Sequence, residues 1–133
     1  MLRVALWVVQ VLLAAMFLMA GAMKSTSPID ELVGMGMWYA DVGGGALIRF
    51  IGISEVLGAV GLVLPAALRV LPWLTPLAAA LLAVVMVLAM ATHASAGEWS
   101  ALPVNAVLGG LAAFVAWGRT VKAPIARREA ATA

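Results

Sequence analysis

Apolar residues in this chain do not alternate with polar ones; they gather in four long runs separated by short polar, glycine or proline breaks. A helix needs about 20 mostly apolar residues to cross the hydrocarbon core of a bilayer, so runs of this length read as transmembrane helices. They place spans at about 4–23, 46–64, 76–94 and 103–118. Pro65 is expected to close the second span, Thr75 and Pro76 to cap and open the third, and Pro103 to open the fourth. The predicted fold is all-α: an integral membrane four-helix bundle with a short interfacial helix between spans 1 and 2. Residues 1–118 form one membrane domain. Residues 119–133 are a basic tail, expected to be disordered or loosely held at the surface.

The longest connection, residues 25–45, has a pattern of its own. Ser27, Pro28 and Asp30 suit the N-cap, first and third positions of a short helix. Ile29, Leu32, Val33, Met35 and Met37, followed by Trp38 and Tyr39, suit a segment lying at the membrane surface, where it could roof a pocket. Gly43, Gly44 and Gly45 lead into the second span as a plain turn or a lid hinge.

Polar residues inside the apolar runs are few. Glu55 lies near the middle of the second span, where an acidic residue costs roughly 2.5 to 3.5 kcal/mol on insertion scales, so it must face protein, find a partner or take up a proton. Its helical stripe contains Ile48, Ile51, Gly52, Gly58, Ala59 and Leu62, a face whose small residues admit a neighbouring helix. Arg49 is six positions away, on another face with about 9 Å of rise between them, so the two are not an intrahelical pair. Glu55 is expected to meet Gln10, His93 or Asn105 from other spans. Gln10, Phe17, Gly21 and Lys24 share a stripe of the first span, where Gln10 suits interhelical hydrogen bonding and Lys24 suits snorkelling to the interface.

Composition agrees with a lipid-solvated chain: 65% of residues are hydrophobic and 11% charged, and the mean hydropathy is +1.13. The formal charge of +2 comes from basic residues at span ends and in the tail, and no nucleic-acid module is present. There is no cysteine, which excludes disulfides, a thiol nucleophile and cysteine-ligated metal; one histidine cannot build a zinc site. Four spans put both termini on one side together with Arg69. That side collects Arg3, Arg69, Arg119, Lys122, Arg127 and Arg128 against Lys24 and Arg49 on the other, so both termini are expected in the cytoplasm. Lys24, Arg49, Glu55, His93 and Asn105 then gather in the extracytoplasmic half.

These residues carry a resemblance. W-x-x-Q (Trp7 to Gln10), F-x-x-A-G-x-x-K (Phe17 to Lys24), R-x-I-G-x-x-E-x-x-G-A-x-G-L-x-L-P (Arg49 to Pro65) and a third span ending in His93 resemble the DoxX-like family of small bacterial membrane proteins over essentially the whole chain. The resemblance implies a four-helix bundle in the bacterial cytoplasmic (inner) membrane and a loose association with quinone-linked and thiosulfate-oxidising systems. It also marks Gln10, Lys24, Glu55 and His93 as pocket residues. Without cysteine, a redox role would need a bound quinone or flavin.

Three functions fit. In the first, the chain binds a lipophilic molecule with a polar head, such as a quinone, as an accessory subunit of a redox system. Lys24, Arg49, Glu55, His93, Gln10 and Asn105 would serve the head, and Met86 and Trp99 the walls. In the second, Glu55 and His93 are catalytic, Glu55 acting as general acid or base in an isomerisation, hydration or epoxide opening of a lipid-soluble substrate. In the third, glycine-lined helix faces join copies of the chain or a partner membrane subunit.

Overall fold

Near-continuous apolar runs leave the backbone no partner in lipid except itself, and each of the four folds as a helix. The computed structural model describes residues 1–129. In chain order the helices are α1 (Leu2–Thr26), α2 (Ile29–Gly34), α3 (Ala46–Leu68), α4 (Leu74–Ser95) and α5 (Leu102–Trp117); short 3-10 turns lie at Trp38–Asp41 and Trp99–Ala101, and α5 runs on into a π-helical turn at Gly118–Lys122. Among the described residues there is no strand. Four segments, Leu2–Thr26, Ala46–Leu68, Leu74–Ser95 and Trp99–Lys122, are long and apolar enough to cross a membrane.

Neighbours in sequence are neighbours in space. α1 packs on α3, α3 on α4 and α4 on α5, with a lighter contact between α1 and α5 closing the bundle. Each helix turns one narrow stripe inward: Leu6, Gln10, Leu13, Phe17 and Gly21 on α1, and Ile48, Gly52, Glu55, Ala59, Leu62 and Ala66 on α3. Thr75, Ala79, Leu82 and Met86 on α4, with Ala112 and Val115 on α5, complete the core. Val8, Leu12, Phe50, Leu57, Leu81, Leu88 and Val107 face outward and are exposed, an arrangement that only a lipid solvent makes favourable.

The helices approach closely where side chains vanish. A Cβ on Gly21 would lie 2.6 Å from the Gly52 carbonyl oxygen, and one on Gly52 would lie 2.8 Å from that of Gly21, so α1 and α3 meet backbone to backbone. Gly58 and Gly61 are likewise filled from α4 by Leu82 and Ala78, and Gly109 faces Met86. These glycines serve contacts within the chain.

Element boundaries differ from the pattern-based expectation in four places. Pro65 does not close the second span; α3 continues through it to Leu68. Pro65 has no N–H to give the Gly61 carbonyl one turn back, and beside that gap the Gln10 amide donates to the Leu62 carbonyl at 2.6 Å. Thr75 is not an N-cap. The link turns through Arg69 and Leu71, both with positive φ, and the Leu71 and Pro72 carbonyls accept from Leu74 and Thr75, starting α4 earlier and turning the Thr75 hydroxyl inward without a partner. Ser27 ends α1, its N–H bonded to Met23 O at 2.9 Å, and α2 is capped by Pro28 with no side-chain bond.

The fourth difference is at the C-terminus. Arg119, expected in the solvated tail, is buried under the bundle, where the π-helical turn carries α5 one further turn. Beyond it the chain folds back over the link between α3 and α4: Arg128 N donates to Arg69 O at 2.8 Å, and Arg69 Nε to Ala126 O at 3.1 Å. The last four residues assigned to the tail, 130–133, lie outside the described residues.

Candidate functional site

The backbone crossing of α1 and α3 fixes what lies beside it. With Gly21 against Glu55 Cβ and Gly52 against Lys24 Cβ, the two charged side chains lie across the same junction. Lys24 Nζ donates to both carboxylate oxygens of Glu55, at 2.7 and 2.8 Å. Glu55 is 1% exposed. Lys24 therefore does not snorkel outward; it reaches inward and neutralises the buried acid.

Arg49 holds the end of α1. Its guanidinium donates to Lys24 O at 2.7 Å and Ser27 O at 2.5 Å, taking carbonyls that the helix terminus leaves unpaired. The residue that looked available for a ligand is thus committed to fixing the backbone that carries Lys24.

Above the ion pair lies a cavity of about 300 Å³. Lys24, Glu55, His93 and Asn105 line it from four spans, Met86 supplies an apolar wall, and Tyr39 comes in from the connection above. The Tyr39 ring meets that of His93 edge-on, with centroids 6.0 Å apart. On its other side His93 Nδ1 lies 2.6 Å from Glu98 Oε2. The Glu98 carboxyl is held below the usual carboxylate range, first by that hydrogen bond and in smaller part by Trp38. Burial pushes the Tyr39 phenol up, reinforced by the charges of Glu55 and Glu98, so it stays a protonated hydrogen-bond donor. Three consecutive glycines with positive φ, Gly43, Gly44 and Gly45, turn the chain from this roof into α3, and a Cβ on Gly45 would run into Ile29.

Of the residues singled out by sequence, the structure brings Lys24, Glu55, His93, Asn105 and Met86 to this cavity and leaves three elsewhere. Arg49 is used as described. Trp99 is 66% exposed at the start of the turn before α5 and does not line the cavity. Gln10 lies in the opposite half of the bundle, fully buried, donating to Leu62 O and accepting from Arg119 Nε at 2.6 Å. Arg119 also stacks over Trp7, its Cζ 5.4 Å from the ring centroid. The expected partners of Glu55 give way to Lys24, because the glycine crossing brings that side chain nearest.

Sequence reasoning did not single out Tyr39 or Glu98 as site residues. The signal for Tyr39 is slight: it is the chain's one tyrosine, in an aromatic pair at the interface. For Glu98 it is the tight turn through Gly97, whose φ of +75° brings position 98 back under His93.

The profile of the DoxX-like family matches residues 8–115, a stretch that includes all five of the cavity residues foreseen from sequence. The chain belongs to the DoxX-like family. No curated protein and no solved structure matches it. Within the DoxX-like match lie both the glycine crossing and the Lys24–Glu55 pair, whereas Arg119, which anchors Gln10, falls just beyond it.

Proposed function

We propose that this chain binds a lipophilic small molecule by its polar head, in the cavity between Lys24, Glu55, His93, Asn105 and Tyr39, and serves as an accessory subunit of a redox system, with a quinone-like ring the leading class of head. The observation that supports this is a cavity of about 300 Å³, at the lower end of the size range of ligand sites, with polar groups converging from four helices in an otherwise apolar body. An ammonium, an imidazole and a phenol around one space suit the oxygens of a quinone or similar carbonyl ring.

Acid–base catalysis by Glu55 is the less supported use of the same space, because both carboxylate oxygens are engaged by Lys24. Assembly through glycine faces also loses ground, since Gly21, Gly52, Gly58, Gly61 and Gly109 are occupied within the chain. Orientation follows from charge: Arg3, Arg69, Arg119, Lys122, Arg127 and Arg128 gather at the end with the termini, which we place in the cytoplasm of a bacterium, leaving the cavity in the outer half of its inner membrane.

The test is extraction of small molecules from protein purified out of its native membrane, read by mass spectrometry, for wild type, Lys24→Met and Glu55→Gln. A ring-bearing lipophile retained by wild type and lost from both variants is the expected result. Retention by Glu55→Gln together with loss of a turnover seen in wild type would point to catalysis instead.

A further inference from the structure

The cavity shares one edge with a second space on the lipid-facing surface. Phe50, Ser54 and Val85 line both, and the larger space, of about 710 Å³, is a groove running down the outside of the α3–α4 junction. Apart from Ser54, whose hydroxyl is spent on Phe50 O, the side chains of this groove are apolar. Its floor forms where Gly58 and Gly61 let α4 approach, and Leu57 and Leu81 rise beside it one helical turn beyond the shared threshold. From Ser54 to Leu68 it follows α3 for about 21 Å at 1.5 Å per residue. At the far end Val70, Leu71 and Leu74 line it, where the link between the spans turns.

A groove between two lipid-facing helices would by itself mean little, since bilayer chains fill such spaces. This one is apolar along its length and meets, at Phe50, Ser54 and Val85, the edge of a cavity that holds charged and hydrogen-bonding groups. That shape suits one occupant, a molecule with a small polar head and a single long hydrocarbon tail. We infer that the α3–α4 groove is the tail site of such an amphiphile, whose head occupies the cavity and which enters sideways from the bilayer across Ser54 and Val85. The inference rests on the head-binding proposal above and adds the tail and the route of entry.

Two probes separate head from tail: a benzoquinone carrying a ten-carbon alkyl chain, and the same ring with a methyl group in its place, each titrated into protein in phosphatidylcholine nanodiscs at matched concentration in the bilayer. The variant is Leu57→Trp with Leu81→Trp, both at exposed positions that line the groove and not the cavity, with Val107→Trp on α5 as control. The double variant should weaken the decyl probe tenfold or more and the methyl probe less than twofold, while the control changes neither. Unchanged decyl binding, equal weakening of both probes, or a change in oligomeric state without a change in binding would overturn the tail site, the last assigning the groove to a second copy. If neither probe binds, native mass spectrometry of wild type and double variant decides. A chain-bearing molecule lost only from the variant supports the tail site. A compact molecule, or one retained by both, overturns it and leaves head binding standing. Nothing retained removes both.

Discussion

Glu55 receives both of its hydrogen bonds from one residue, Lys24, which lies across a helix junction so tight that neither Gly21 nor Gly52 has room for a methyl group. Breaking a buried pair strands a charge, whereas removing both partners does not. Glu55→Leu or Lys24→Met alone should lower stability by about 3 to 5 kcal/mol, and the double variant should recover most of that loss. Unfolding midpoints of the four proteins in mild detergent check this; a double variant as unstable as the worse single one contradicts it.

The crossing itself gives a second expectation. Gly52→Ala places a Cβ 2.6 Å from Ser25 Oγ and 2.8 Å from Gly21 O, one of them rigid backbone. Overpacking of this kind costs about 1 to 3 kcal/mol. Gly110→Ala, where a Cβ meets nothing within 4 Å, should be close to neutral in the same denaturation series.

At the other end of the bundle, Gln10 joins three helices by giving to Leu62 O and taking from Arg119 Nε. Gln10→Leu leaves Arg119 Nε without its acceptor in a site from which water is excluded, at about 1 to 3 kcal/mol, and removes the side-chain donor to Leu62 O. Gln10→Glu keeps an acceptor for Arg119, and adding the negative charge should preserve that contact while losing the one to Leu62. Thermal unfolding should therefore rank wild type above Gln10→Glu and Gln10→Glu above Gln10→Leu.

Acid should loosen the roof before it unfolds the bundle. The Glu98 carboxyl titrates below its ordinary value because His93 bonds its charged form, so its contribution is fully present above the ordinary carboxylate pKa and disappears as pH falls through the depressed one. Hydrogen exchange over residues 36–41 and 96–101 should quicken over that acidic window, and Glu98→Gln should remove the pH dependence.

Much of the architecture was legible because lipid permits so few solutions: a run such as Leu47 to Leu64 can only be a span, and an acid within it must turn inward. Glu55 could be read that way from its own helix. Its partner could not, because the choice among Lys24, Gln10, His93 and Asn105 depends on where two backbones cross, and periodicity on one helix says nothing of that. Gln10 is instructive in another way. It shares a stripe with Lys24, yet fourteen residues separate them, about 21 Å along the axis, so a common face did not mean a common site. Arg119 escaped because a charge after the last apolar run looks solvated, and only the π-helical turn carries it back under the bundle.

Arg49, by gripping the last carbonyls of α1 from the first turn of α3, staples together the two feet of the chain segment that covers the cavity. That segment is also pinned along its length, since Leu32 and Ala40 are buried against Ile48 of α3, with Met23 of α1 packed beside them. The cover of the cavity is thereby part of the same packed body as the spans beneath it.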